Sequence, residues 1–398
     1  MIVVELLGLL AGGLVSFGFT ERVFHQRNLN KIPTRIHVSG TRGKSSVTRL
    51  LATGLSKCGV PAAAKTTGTM ARMILPDQRE FPVYRPTGAN IIEQKRIISA
   101  AAQMGVESLV LECMALQPLF HWISEDKLVR ATHGVITNVR ADHLDVMGPE
   151  EEDVAKAIAG MIPVKGVLYT AERKHLGILE DAALDRKTRV VAISEEEVNA
   201  ITEQDMSGFK YSEHAENVAL VLRIMADFGI ERDRALAGIK HTNPDPGALC
   251  ECKLEYFGRT LHFVNGFAAN DPESTKRIWD YATAKYKDVD RVVAVFNMRA
   301  DRPSRSLQMA RESDFWKSAE KVVLIGTGSY LFAKLSTNEG VDAQKFLTVE
   351  SDRMSDIFES ILESCARRTL VIGMGNIGGP GLGLVQYFKN RSIPEEWQ

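Results

Sequence analysis

The sequence predicts an α/β protein. A P-loop-type parallel-sheet domain is followed by a smaller Rossmann-like α/β domain, with an N-terminal apolar helix before both. Three observations predict it. Short apolar runs alternate with helical stretches from Pro33 onward. The run Arg35–Ser39 leads into Gly40-Thr41-Arg42-Gly43-Lys44-Ser45-Ser46, which reads as strand, glycine turn and helix start. The alternation breaks at Thr242-Asn243-Pro244-Asp245-Pro246-Gly247 and then restarts. Two prolines and a glycine in that stretch mark a hinge or linker. The expected organisation is 1–27 as an apolar anchor helix, 28–245 as the central domain and 246–398 as the C-terminal domain.

The glycine turn carries the chemistry. Backbone N–H groups and a helix N-terminus supply partial positive charge, and a lysine and a hydroxyl complete a phosphate cradle. Ser39, Gly40, Thr41, Arg42, Gly43, Lys44, Ser45 and Ser46 are therefore the expected phosphate-binding residues. Lys44 would reach the terminal phosphates and Ser45 would hold Mg²⁺. The full phosphate-loop pattern has a further glycine where Val38 stands, so GTRGKSS is a short variant.

In chain order, the first domain reads as strand Arg35–Ser39, helix Gly43–Cys58, strand Ala62–Thr66, helix Gly88–Met104 and strand Ser108–Glu112. Strands at Gly134–Thr137, Val167–Thr170 and Arg189–Ile193 follow. In open parallel sheets, ligands sit beyond the carboxyl ends of strands. Four polar clusters lie there: the glycine turn, Thr66-Thr67-Gly68-Thr69, Glu112, and Asp142-His143. That is the pattern of one nucleotide–metal site. Glu112 ends an otherwise apolar strand and is a natural Mg²⁺ ligand. His143 is a candidate for a second metal or for positioning substrate. Lys44, Glu112 and His143 are thus the catalytic candidates, and Ser45, Glu112 and His143 the metal candidates.

After the hinge, strands are expected at Cys252–Phe257, Thr260–Val264, Val292–Asn297, Val322–Gly326, Phe346–Val349 and Leu370–Gly373. Gly373-Met374-Gly375-Asn376-Ile377-Gly378 fits a dinucleotide fingerprint, but too little chain follows for the βαβ unit that fingerprint requires. A tight turn closing the domain is the better reading.

Met1–Phe19 is apolar apart from Glu5 and Ser16, about long enough to cross a bilayer core. Arg22, Arg27, Lys31 and Arg35 follow it, so the body is expected on the cytoplasmic side. Gly8 and Gly12 form a GxxxG pair suited to close helix contact. The chain has 49 Lys+Arg and 50 Asp+Glu, which gives no general attraction for nucleic acid. Five scattered cysteines suit a reducing compartment and no zinc site. No Gly-x-Ser-x-Gly or His-Glu-x-x-His occurs, so covalent serine or zinc hydrolysis is not indicated.

Taken together, these motifs resemble the Mur ligase superfamily of ATP-dependent amide ligases. GTRGKSS resembles that family's GTNGKTT-type loop and Thr66–Thr69 its TTGT. Leu111-Glu112 resembles its central Glu strand, and Ile136–Asp145 its ITNIxxDHLD. Phe296–Arg302 is similar to its FGxGGDR, and Gly373–Asn376 to its final GKGH turn. Within the superfamily, the text is most similar to the CapB-type ligase subunits of poly-γ-glutamate synthases. It shares their Lys65–Ile74, Glu112–Ala115, Asp142–Pro149, Asn243–Ala248 and Val264–Thr275 segments. The wider family's His at the start of the last domain is missing from Gly266–Asp271.

The resemblance implies an ATP-dependent ligase that forms γ-glutamyl amide bonds through an acyl phosphate, with ATP and Mg²⁺ as cofactors. It implies nucleotide contacts from Asn270, Asp301 and Arg302. It also implies a place for a carbamoylated lysine, for which Lys156 is the candidate; an exposed helical lysine is the plain alternative. The implied partners are glutamate, the growing poly-γ-glutamate chain and membrane subunits of the CapC and CapA type, with a homo-oligomer also allowed. The implied location is the cell membrane, with the catalytic body cytoplasmic. A folylpolyglutamate-type ligase, a nucleotide-driven switch and a scaffold that binds ATP structurally are the alternatives.

Overall fold

The computed structural model describes residues 2–68, 70–85, 88–209, 211, 213–245, 249–269, 272–300 and 303–393. The chain forms two compact units, Met1–Asp245 and Pro246–Gln398.

The first unit opens on helix α1 (Ile2–Asn30), then β1 (Thr34–Ser39), α2 (Lys44–Lys57), β2 (Ala62–Lys65), β3 (Arg72–Ile74) and β4 (Glu80–Pro82). Next come α3 (Glu93–Met104), β5 (Ser108–Glu112), α4 (Pro118–Ile123), a π-helical turn (Ser124–Val129), β6 (His133–Ile136), α5 (Leu144–Met147) and α6 (Glu151–Ala159). The unit ends with β7 (Val167–Thr170), α7 (Leu176–Asp185), β8 (Arg189–Ala192), α8 (Glu195–Asn199), α9 (Glu203–Met206), α10 (Ala215–Asp227) and α11 (Arg232–Ile239). Its eight strands lie in the order β4-β3-β2-β5-β1-β6-β7-β8. β2 pairs antiparallel with β3, and β3 with β4. The other pairings are parallel.

Helices cover both faces, as a sheet of Val- and Ala-rich strands requires. Leu50, Leu51 and Leu55 of α2 join Val221 and Ile224 of α10 and Ile239 of α11 over one face. Leu29 of α1 with Ile98 and Ala101 of α3, and Val154 and Ile158 of α6 with Leu179 of α7, form two further clusters.

Most element boundaries fall within about two residues of the sequence expectation, and two depart further. Helix α3 starts at Glu93 rather than Gly88. The Asn90 side chain accepts the Ile92 N–H at 2.9 Å, a local bond that holds the preceding residues in a turn. Helix α1 runs on to Asn30, and its last third is built into the body: His25 and Leu29 are buried, whereas residues 4–22 are exposed.

The second unit comprises β9 (Glu251–Tyr256), β10 (Arg259–Asn265), α12 (Pro272–Lys285), β11 (Arg291–Met298), α13 (Pro303–Arg311) and β12 (Lys321–Gly326). It continues with α14 (Ser329–Asn338), β13 (Phe346–Thr348), α15 (Met354–Glu363), β14 (Arg368–Gly375) and α16 (Pro380–Lys389). The six-stranded sheet has the order β13-β12-β11-β14-β10-β9, with β9 antiparallel at the edge. The Gly373–Gly378 stretch ends β14 and turns into α16. Asn297 of β11 staples that turn, its Nδ2 donating to the Gly378 carbonyl at 2.8 Å while its carbonyl accepts the Asn376 N–H at 2.9 Å. A Cβ on Gly375, at φ +95°, would stand 2.5 Å from the Asn297 carbonyl oxygen, so glycine is needed for that close approach.

Candidate active site

β1 lies at the middle of the first sheet, and its carboxyl end delivers the phosphate loop. Gly40 (φ +128°) and Gly43 (φ +81°) make the turn. A Cβ on Gly40 would meet Thr137 Oγ1 at 2.1 Å, because the end of β6 packs directly on the loop. Asn138 fixes the loop from that side. Its Oδ1 accepts from Thr41 Oγ1 (2.8 Å) and the Arg42 N–H (3.0 Å), and its Nδ2 donates to the Arg42 carbonyl at 3.2 Å. Thr137 Oγ1 donates to the same carbonyl at 2.5 Å. Asn138 is not among the site residues expected from the sequence, although the Thr137-Asn138 pair in the Ile136–Asp145 motif carries a signal for it.

Lys44 does not face solvent. It is half-buried, and its Nζ donates to the carbonyls of Gly40 (2.6 Å) and Thr41 (3.1 Å), closing over its own loop. Burial pushes its pKa down, and Glu112 and Asp142 oppose that shift. Two nearby carboxylates thus help keep the ammonium charged.

Parallel pairing of β1 with β5 sets Val38 opposite Glu112. Glu112 is buried, and its Oε2 accepts from Ser45 Oγ at 3.0 Å and from the Thr67 N–H at 2.7 Å. One carboxylate oxygen thus draws together the helix start after the phosphate loop and the loop after β2. Gly68 lies beside them; a Cβ there would be 3.6 Å from Ser45 Oγ. The Ser45–Glu112 donor set fits Mg²⁺, a hard cation that takes a few protein oxygens and completes its shell with water and phosphate. Among the described residues no three His, Cys, Asp or Glu side chains converge as a ready-made metal centre.

His143, past the carboxyl end of β6, is the N-cap residue of α5 and lies in the left-handed region (φ +50°). Its Nε2 is 3.8 Å from Asp142 Oδ1, and Asp142 Oδ2 is 3.9 Å from Arg42 Nη1. Asp142 therefore connects the histidine to the phosphate loop. Lys156 lies on the exposed face of α6 and makes no hydrogen bond or ion pair among the described residues. Asn270, Asp301 and Arg302, like Thr69, lie outside the described residues.

Two buried clusters next to the site were not anticipated. At the end of β2, Lys65 Nζ is 2.5 Å from Glu93 Oε1, and Arg85 grips the same carboxylate at 2.7 and 2.8 Å. Behind Glu112, Cys113 Sγ is 3.5 Å from His121 Nδ1, and His37 Nδ1 is 2.8 Å from Glu125 Oε2. Burial works against charge on His37, but Cys113 and Glu125 outweigh it and hold its pKa up at about 9. Burial likewise opposes a thiolate at Cys113, yet His121 and His37 bring its pKa well below the usual thiol value.

Known proteins share both parts of this chain. Residues 38–232 match the Mur ligase middle domain, and residues 252–391 match the poly-gamma-glutamate synthase CapB C-terminal domain. The capsule biosynthesis protein CapB of Bacillus anthracis is 34% identical over 391 residues, covering 98% of this chain and 83% of that protein. The chain belongs to the CapB family of Mur-type ligases. The PGA synthase CapB of Bacillus subtilis (strain 168) is also 34% identical, over 94% of both chains. Among solved structures, a bifunctional folylpolyglutamate synthase/dihydrofolate synthase from Yersinia pestis, complexed with AMPPNP and a Mn ion, superposes with a TM-score of 0.65 at 13% identity. It covers 92% of each chain. That likeness is one of fold. In this CapB-family chain, α1 supplies a helix (Val4–Asn30) long and apolar enough to cross a membrane, with mean hydropathy 1.4 in its most apolar window.

Proposed function

We propose that this chain is the catalytic ligase subunit of a poly-γ-glutamate synthase, joining glutamate units through γ-glutamyl amide bonds at the expense of ATP. The observation that carries it is the hydrogen bond between Ser45 Oγ and Glu112 Oε2 at the mouth of the phosphate loop. A hydroxyl and a carboxylate side by side at that loop suit a magnesium ion, and in a chain of the CapB family they support this reading.

The reaction needs two displacements. A glutamate carboxylate oxygen attacks the γ-phosphorus of ATP, and the bond to ADP breaks. An incoming amine nitrogen then attacks the acyl carbon, loses a proton, and inorganic phosphate leaves. The obstacle in the first displacement is repulsion between carboxylate and triphosphate. The loop N–H groups bind the phosphates, and Lys44 leaves the Gly40 and Thr41 carbonyls to meet the transferring group. Ser45 and Glu112 would hold Mg²⁺, which supplies further positive charge to the phosphate oxygens. His143, set beside Asp142, positions the acceptor carboxylate. Asn270, Asp301 and Arg302, which lie outside the described residues, are the further nucleotide contacts this reading proposes. The first nineteen residues anchor the protein in the cell membrane, where subunits of the CapC and CapA type pass the polymer on.

The test is ADP release by the purified, reconstituted protein with and without L- or D-glutamate, with hydroxylamine present to trap acyl phosphate. Glutamate-dependent ADP, a glutamyl hydroxamate and, without the trap, products rising by one glutamyl mass at a time are expected. ADP release indifferent to glutamate, with no hydroxamate, would overturn the assignment.

A further inference from the structure

Helix α1 leaves the body at one definite end of the sheet. Its last third packs against α3 and touches the π-helical turn that continues α4. Glu21 Oε1 is 3.0 Å from Lys95 Nζ, and His25 Nε2 meets the Leu128 carbonyl at 2.7 Å. Lys95 belongs to the first turn of α3, and its neighbour Gln94 donates to the Glu112 carbonyl at 3.3 Å. Glu21 is therefore level with the carboxyl end of β5, where the candidate site lies. Farther along α1, Arg35 Nη1 donates to the carbonyls of Leu29 (3.1 Å) and Ile32 (2.6 Å), and the Thr34 N–H donates to Glu107 at 3.1 Å. These contacts mark the amino ends of β1 and β5. From Glu21 to Asn30, α1 thus runs from the site edge of the sheet to the opposite edge. The residues before Glu21 project beyond the site edge, about 25 Å of helix from Val4 to Thr20 at 1.5 Å per residue.

That projecting segment is apolar on every side. Val4, Leu6, Leu9, Leu14, Phe17 and Phe19 are all exposed, and at 100° per residue they point around the whole helix. An all-round apolar helix suits lipid; a protein groove asks for one stripe. The segments that lead into α3 and α4 also carry exposed apolar side chains at this same edge. Tyr84 (75% exposed) and Ile92 precede α3, and Leu116, Leu119 (59%) and Phe120 surround the start of α4. One turn on, Lys127 Nζ sits 4.9 Å from the Trp122 ring centroid. Aromatic rings and cations flanking an apolar helix are the composition of a membrane–water interface.

We propose that the site edge of the first unit faces the bilayer. Tyr84, Ile92, Leu116, Leu119 and Phe120 seat in the interfacial layer of a phospholipid surface, and the phosphate loop opens toward that surface. The inference rests on the anchor reading given above and adds an orientation to it: new amide bonds form against the membrane face, not on the side of the protein turned to the cytoplasm.

The test uses the full chain in vesicles of phosphatidylglycerol and phosphatidylethanolamine, with Cys250→Ser to remove the one native thiol that is not buried. An environment-sensitive nitrobenzoxadiazole label is placed at Tyr84→Cys, Leu119→Cys or, at the opposite edge, Leu184→Cys, where the native side chain is 79% exposed. Flotation of the vesicles is read first. Labels at 84 and 119 are expected to brighten, shift to the blue and be quenched by doxyl-labelled lipid, while the label at 184 stays unchanged. Protein that does not float overturns the anchor reading and the orientation with it. Protein that floats with labels 84 and 119 unquenched, or with 184 quenched as strongly, leaves the anchor standing and overturns the orientation. That second result includes the case in which a protein partner, absent from the vesicles, covers this edge.

Discussion

Lys44 carries the first prediction of the proposed mechanism. Its ammonium is half-buried against the Gly40 and Thr41 carbonyls, with Glu112 and Asp142 supporting the charged form. Lys44→Ala removes a donor to the transferring phosphoryl group, and ADP release should fall by about 10²-fold or more. Measured beside an unchanged circular dichroism spectrum, near-normal release would rule the role out. The buried Cys113–His37 pair gives a second prediction, on stability. His37, raised from 6.5 to about 9, contributes stability that is complete below 6.5 and is lost as pH rises through about 9. Cys113, lowered from 9.0, contributes stability that is complete above 9.0 and is lost as pH falls toward its depressed value. Below 9.0, and above both 6.5 and the depressed Cys113 value, the two slopes oppose one another, so the pair adds little net pH dependence there. Cys113→Ser removes the Cys113 slope and, with it, the thiolate that holds the His37 proton. NMR titration of His37 in that variant should therefore show its pKa falling from about 9, and an unchanged titration would count against the ion pair.

At the scale of elements, the phosphate loop is held less by its own helix than by β6. Asn138 gives three hydrogen bonds to Thr41 and Arg42, so Asn138→Ala leaves a loop carbonyl and a loop N–H without those partners. A loss of about 1–3 kcal/mol is the scale for such a group, or roughly 5- to 160-fold in nucleotide affinity if all of it is felt there. Calorimetric titration with ADP checks it; wild-type affinity would show that the loop holds its shape unaided. Helix α1 divides into an exposed part and a docked part. Deleting residues 1–19 spares the Glu21–Lys95 and His25–Leu128 contacts, so the truncated protein should leave membranes and keep wild-type ADP affinity. Its persistence on lipid vesicles would refute the anchor.

At the scale of the whole molecule, each unit has its own sheet and its own apolar clusters. In the second unit, Phe263, Phe358 and Phe388 pack on one face and Phe296, Trp316 and Phe332 on the other. A sheet covered on both faces is a complete core, so residues 246–398 expressed alone should fold and melt cooperatively. A non-cooperative melt, or binding of a dye for exposed apolar surface, would show that the unit depends on the rest of the chain.

Local features of the sequence determined the strands, the glycine turn and the candidate donors, because each is written in consecutive residues. Arg35–Ser39 and Ser108–Glu112 are apolar runs of strand length, and GTRGKSS and Glu112 follow directly from them. Tertiary structure alone decided what these groups touch. Glu112 and Ser45 are 67 residues apart and meet because β5 pairs with β1. Asn138 and Thr41 are 97 apart and meet because β6 pairs with β1 on its other side. The turn of Lys44 onto its own loop, the exposure of Lys156 and the His37–Glu125 and Cys113–His121 contacts also depend on packing between elements, for which no short stretch carries a signal. The direction of α1 is the same kind of fact. Composition makes it an apolar helix, and only its seat against α3, fixed by Glu21 and Lys95, decides which end of the sheet it extends from.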